Sequence, residues 1–94
     1  MPVLVVRHQV KDFNAWKPLF DQNGATRAAA GCKGGRLFRS LEEPNHIVIM
    51  FEWDSWEHAR KFIESPDLRA KMSQAGVIGD PVVYHLEEIG EFSQ

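Results

Sequence analysis

The apolar positions of this chain recur at two spacings, every second residue in some stretches and every third or fourth in others. His46 to Trp53, reading His-Ile-Val-Ile-Met-Phe-Glu-Trp, barely alternates. Ile47, Ile49, Phe51 and Trp53 fall on one face, and Val48 and Met50 leave the other nearly as apolar, as expected of a central strand covered on both sides. Val3 to Gln9 predicts a second such strand, with Leu4, Val6 and His8 on one face and Val3, Val5, Arg7 and Gln9 on the other. Behind Asp12, an N-cap residue, Phe13, Trp16 and Phe20 recur at helical spacing. Pro18 inside a helix would cost about 3 kcal/mol, so the pattern predicts a short turn from Phe13 to Trp16 and a longer helix from Pro18 that stops before Gly31. Gly34-Gly35 opens a strand from Arg36 to Leu41, and Glu42-Glu43-Pro44-Asn45 turns the chain back into the central strand. Asp54 or Ser55 caps the next helix, with Glu57 placed to complete a capping box for Asp54 and Trp56, Ala59, Phe62 and Ile63 as its buried stripe. Ser65-Pro66 breaks and restarts that helix, which buries Leu68 and Met72 before Ala75-Gly76 ends it. Asp80-Pro81 introduces a last strand, Val82 to Glu88, and Gly90 to Gln94 forms a loose tail.

The resulting order, β-α-β-β-α-β over a single domain spanning residues 1–94, is that of an α+β, ferredoxin-like fold. Right-handed crossovers then place both helices on one face of a four-stranded antiparallel sheet with strand order 4-1-3-2. The other face, assigned Val3, Val5, Val48, Met50 and Val83, is too apolar to leave in water. Two sheets packed face to face as a two-fold homodimer would cover it.

Composition narrows the class. A chain of 94 residues with 44% hydrophobic and 26% charged residues is an ordinary globular domain, small enough to benefit from association. Its net charge of −2, with no basic block, speaks against nucleic acid as a partner. No apolar run is long enough to cross a bilayer, and the start reads as a strand instead of a signal peptide, so no membrane partner and a cytoplasmic location are expected. The lone Cys32 forms no internal disulfide and reads as a bystander beside Lys33. No Walker loop, dinucleotide fingerprint or nucleophile elbow is present, and four scattered histidines without carboxylates at matching spacing predict no metal site.

Two polar groupings follow from strand parity. If the first and third strands pair with Val6 opposite Ile49, His8 lies among Ile47, Val82 and Tyr84 on the face covered by Trp16, Phe20 and Phe62. An apolar cavity with one imidazole and one phenol suits a small aromatic ligand, and burial would keep His8 neutral and able to act as a base. The plainer alternative is a core histidine bonded by Asp12 or a backbone carbonyl. On the opposite face the same parity gathers Arg7, Glu52 and His85, a trio expected to tie two sheets together as an interface network. His46 reads as a turn histidine and His58 as solvent-facing, while Lys33, Arg36 and Arg39 guard the outermost strand.

Val10-Lys11-Asp12-Phe13, Trp16-Lys17, Phe20, Ser65-Pro66-Asp67-Leu68, Ala75-Gly76-Val77 and Pro81 together resemble the dimeric α+β barrel proteins of the antibiotic-biosynthesis-monooxygenase type, over nearly the whole chain. That superfamily hosts cofactor-independent monooxygenases, polyketide cyclases, lactone isomerases and haem-degrading enzymes. The haem degraders use an Asn on the first strand with a Trp and a His further on, whereas this first strand offers Arg7, His8 and Gln9, so haem is not expected. The resemblance implies a small-molecule-binding homodimer that works without a cofactor as an oxygenase or cyclase on an aromatic or polyketide-like molecule. His8 would be the base, Tyr84 and Trp16 would position the ring, and Phe20, Phe51, Trp53 and Phe62 would complete the binding wall. The rival is a non-catalytic ligand-binding, stress-associated or regulatory dimer whose interior is filled by side chains; an open cavity of roughly 300 Å³ or more reaching His8 would separate the two.

Overall fold

The computed structural model describes residues 1–94. In chain order the elements are β1 Pro2–Val10, α1 Phe13–Gln22, α2 Gly24–Ala30, β2 Cys32–Arg39, β3 His46–Trp53, α3 Trp56–Ile63, α4 Pro66–Gln74 and β4 Val77–Glu87. The sheet is antiparallel throughout, in the order β2-β3-β1-β4, the ferredoxin-like arrangement with each crossover helix divided in two. β1 and β3 pair with Val6 opposite Ile49 and His8 opposite Ile47. The core lies on one side only: Leu4, Val6, Ile47, Ile49, Phe51 and Trp53 from the two central strands are buried against Trp16 and Ala59 from the helices.

The helices differ from the sequence expectation at Pro18, and of the two expected caps for the next helix one is used. α1 runs through Pro18 without a break, and the division falls at Asn23 instead. Pro18 sits on the exposed side, one turn past the start, so its missing N–H costs only the bond to Asn14, itself exposed to water. Asp12 caps α1 by accepting from the Asn14 N–H at 3.0 Å. Ser55, not Asp54, caps α3 by accepting from the His58 N–H, which leaves the Asp54 carboxylate free to take the His58 ring. Trp56, expected inside, is half exposed and lies against His85 with ring centroids 4.6 Å apart.

β2 begins at Cys32 and ends at Arg39, and β4 begins at Val77, ahead of Asp80-Pro81. Arg7 pairs with Val82 while Gln9 pairs with Ile78, so Gly79 to Pro81 form an irregularity that β1 does not match. Beyond it Val6 faces Val83 and Leu4 faces His85, which puts Val83 and His85 on the helix side and Val82, Tyr84 and Leu86 on the bare side. This reverses the parity expected for the last strand. Both sets are apolar enough to be buried, so hydrophobicity alone does not set the phase.

Candidate functional site

Between the sheet and all four helices lies a cavity of about 470 Å³. Val6, His8, Ile49 and Phe51 from β1 and β3 form its floor, Trp16 and Phe20 from α1 one wall, and Phe62 and Ile63 from α3 another. The aromatic side chains form a continuous surface: Trp16 stacks on Phe20 at 5.0 Å between centroids, Phe20 meets Phe51 at 6.3 Å, and Phe51 meets Phe62 edge-on at 6.0 Å.

His8 is the one buried polar residue of the chain, 6% exposed. Its ring touches Trp16 edge-on at 5.6 Å between centroids, and neither Nδ1 nor Nε2 has a hydrogen-bond partner. The bond to Asp12 or a backbone carbonyl expected of a core histidine is therefore not made; Asp12 is occupied with the Asn14 N–H. Burial, with a smaller push from His46, lowers the His8 pKa from 6.5 to about 4. At neutral pH the ring is uncharged, with one nitrogen free to accept.

The other expected site residues separate. Trp16, Phe20, Phe51 and Phe62 line the cavity with His8, whereas Trp53 lies fully buried beside Phe62 and outside the lining. Tyr84 does not join His8: it pairs with Val5 on the opposite side of the sheet, half exposed. Arg7 and Glu52 do share that bare side, but Glu52 stands opposite Val3, four residues along β1 from Arg7, and the two make no ion pair within the chain. His85 belongs to the helix side, against Trp56.

Several lining residues escaped the sequence reading. Arg27 from α2 is half-buried, its guanidinium 3.8 Å above the Phe20 ring while Nη1 donates to the Phe20 carbonyl at 2.8 Å. Burial pulls its pKa down. Lys61 and Lys71 reach the lining from α3 and α4. His58 is at the cavity mouth, its Nδ1 2.9 Å from Asp54 Oδ1, a contact that lowers the Asp54 pKa. Gly31 makes room for that carboxylate, since a Cβ there would stand 2.5 Å from Asp54 Oδ1. The spacing of Asp54 and His58, one helical turn, was the available signal; Arg27 gave none, because its approach to Phe20 depends on the break between α1 and α2.

The sequence profile of one family, antibiotic biosynthesis monooxygenase, matches residues 6–74. No curated protein matches the chain. Among solved structures, SnoaB from Streptomyces nogalater, a cofactor-independent oxygenase crystallised as a point mutant, superposes with a TM-score of 0.75 at 16% identity, covering 99% of this chain and 97% of its own. A Mycobacterium tuberculosis protein gives 0.68 at 20% identity, covering 99% and 100%. A conserved protein from Methanosarcina mazei gives 0.71 at 16% identity, covering 94% and 93%. At these identities the likeness shows a shared fold.

Proposed function

The chain belongs to the antibiotic biosynthesis monooxygenase family, and from that premise we propose that it is a cofactor-independent monooxygenase, acting as a homodimer on an electron-rich aromatic or polyketide-like phenol or enol. The observation that carries this reading is His8, a buried, neutral imidazole in the floor of a largely apolar cavity with no protein partner for either nitrogen. An unpartnered buried polar group costs on the order of 1–3 kcal/mol, and a ligand hydroxyl would supply the missing bond. The volume, about 470 Å³, favours a ligand over an interior filled by side chains.

In this reaction His8 accepts the phenolic or enolic proton. The substrate anion and the imidazolium then sit side by side, and their attraction raises the His8 pKa at the moment the proton arrives. The electron-rich anion reacts directly with dioxygen; for a ring methylene oxidised to a carbonyl, one oxygen atom enters the product and the other leaves as water. Trp16, Phe20, Phe51 and Phe62 hold the ring and exclude water. Tyr84, on the other side of the sheet, takes no part.

Oxygen uptake with a panel of anthrones and polycyclic hydroquinones tests the proposal. Uptake is expected for the wild type and should fall by about a hundredfold or more in His8→Phe, the usual loss for a general base. A panel that binds in the cavity without oxygen uptake would refute the oxygenase reading, and turnover without uptake would assign proton transfer of the cyclase or isomerase kind instead.

A further inference from the structure

The charges around the cavity run against those of the chain. Arg27, Lys61 and Lys71 line it against one carboxylate, Asp67, in a protein whose net charge is −2. None of the three cations makes an ion pair; the salt bridges of the chain are Lys17–Asp21, His46–Glu43, His58–Asp54 and Arg60–Glu64. Arg27 is the most unusual of them. Its guanidinium is half-buried against Phe20 and spends one N–H on the Phe20 carbonyl, which leaves most of its five donors without a protein acceptor. A partly desolvated cation in such a place is costly until an anion joins it.

Geometry connects that cation to His8. From the imidazole the path runs to Trp16 at 5.6 Å, from Trp16 to Phe20 at 5.0 Å, and from Phe20 to the guanidinium at 3.8 Å. We infer that the cavity is built for an aromatic acid, whose ring lies along Trp16 and Phe20, whose carboxylate is held by Arg27 with Lys61 and Lys71 at the rim, and whose hydroxyl end reaches His8. The contact with the Phe20 ring and the bond to its carbonyl hold the guanidinium in place in advance, so that a carboxylate meets its remaining donors at little entropic cost. The inference rests on the cavity being a ligand site and is independent of whether oxygen is consumed there.

The probes are 8-anilinonaphthalene-1-sulfonate and its uncharged parent, N-phenyl-1-naphthylamine, titrated by fluorescence into the full chain. The sulfonate is expected to bind about tenfold more tightly than the parent, and Arg27→Gln should erase that preference while leaving the parent within about twofold. Because Arg27 also holds the Phe20 carbonyl, the double variant Lys61→Gln, Lys71→Gln serves as a second test; it should weaken the sulfonate severalfold and flatten its salt dependence, again sparing the parent. Equal affinities in the wild type, or equal losses for both probes in the variants, would overturn the inference while leaving the cavity a ligand site. Signals that persist in Ala29→Trp, which narrows the cavity, would place the probes elsewhere and also overturn it. Failure of both probes to bind would remove the cavity reading itself.

Discussion

His8 occupies a place where a hydrophobic residue would be the more stable choice. Replacing it with Phe removes two unpartnered nitrogens from the interior and should raise stability at pH 7.5 by about 1–2 kcal/mol, measured by urea unfolding. The same substitution changes the pH dependence. The imidazole titrates near 6.5 in the unfolded chain and at about 4 in the folded one, so between those values only the unfolded chain takes up the proton. Wild-type stability is therefore highest above pH 6.5 and declines as the pH falls to about 4, by on the order of 2–3 kcal/mol from this group alone. In His8→Phe that component should vanish, so the gap between variant and wild type widens on going from pH 7.5 to pH 4.5. The position of His8 was legible in the sequence, because Arg7 and Gln9 flank it and put it in phase with Val6 and Leu4 on the apolar face. Tyr84 was not, because Val82, Tyr84 and Leu86 are greasier than Val83 and His85 and yet face away from the helices.

At the scale of elements, the joints matter more than the lengths. Asn45, in the turn before β3, accepts from the Phe13 N–H at 2.8 Å and donates to the Lys11 carbonyl at 3.2 Å, while its own carbonyl receives the Val10 N–H. It thereby fixes the entry of α1 to the β2–β3 hairpin and so sets where Trp16 and Phe20 meet the sheet. Asn45→Ala should cost about 1–2 kcal/mol in urea unfolding, more than an exposed turn residue ordinarily does. Gly35 marks another joint: a Cβ there would stand 1.7 Å from the Met50 carbonyl of β3. Gly35→Ala should therefore destabilise the chain by roughly 3 kcal/mol or more, since relief requires β2 to move away from β3. The order of elements and the central pairing could be read from periodicity. The unbroken α1, the choice of Ser55 over Asp54 and the early start of β4 could not, because each depends on a tertiary contact or on which backbone groups meet water.

For the whole molecule, the helix side accounts for the buried core and leaves the other side of the sheet bare. Across it run Phe38, Val48, Arg7 and Val82 in one row, Arg36, Met50, Val5 and Tyr84 in the next, and Glu52, Val3 and Leu86 in a third. Phe38 at one edge and Tyr84 and Leu86 at the other are each about half exposed, and Val48, Met50, Val5 and Val3 lie between them, an apolar face of the kind that marks an interface. We expect two copies to cover it, with Arg7 and Glu52 setting the register. Val5→Lys should yield monomers by light scattering, and Glu52→Ala should weaken the dimer severalfold by sedimentation. An unaltered dimer in both variants would place the contact elsewhere. The cavity lies on the other side of the sheet, with the unpartnered His8 in its floor as the base we propose. The most direct test is the titration of the His8 imidazole by nitrogen-15 NMR, with and without 1-naphthol. The account predicts a midpoint near pH 4 in the free protein that moves further down when the neutral phenol fills the cavity, because its hydroxyl donates to the uncharged ring and its body excludes water; a midpoint near 6.5 that the phenol leaves unmoved would contradict it.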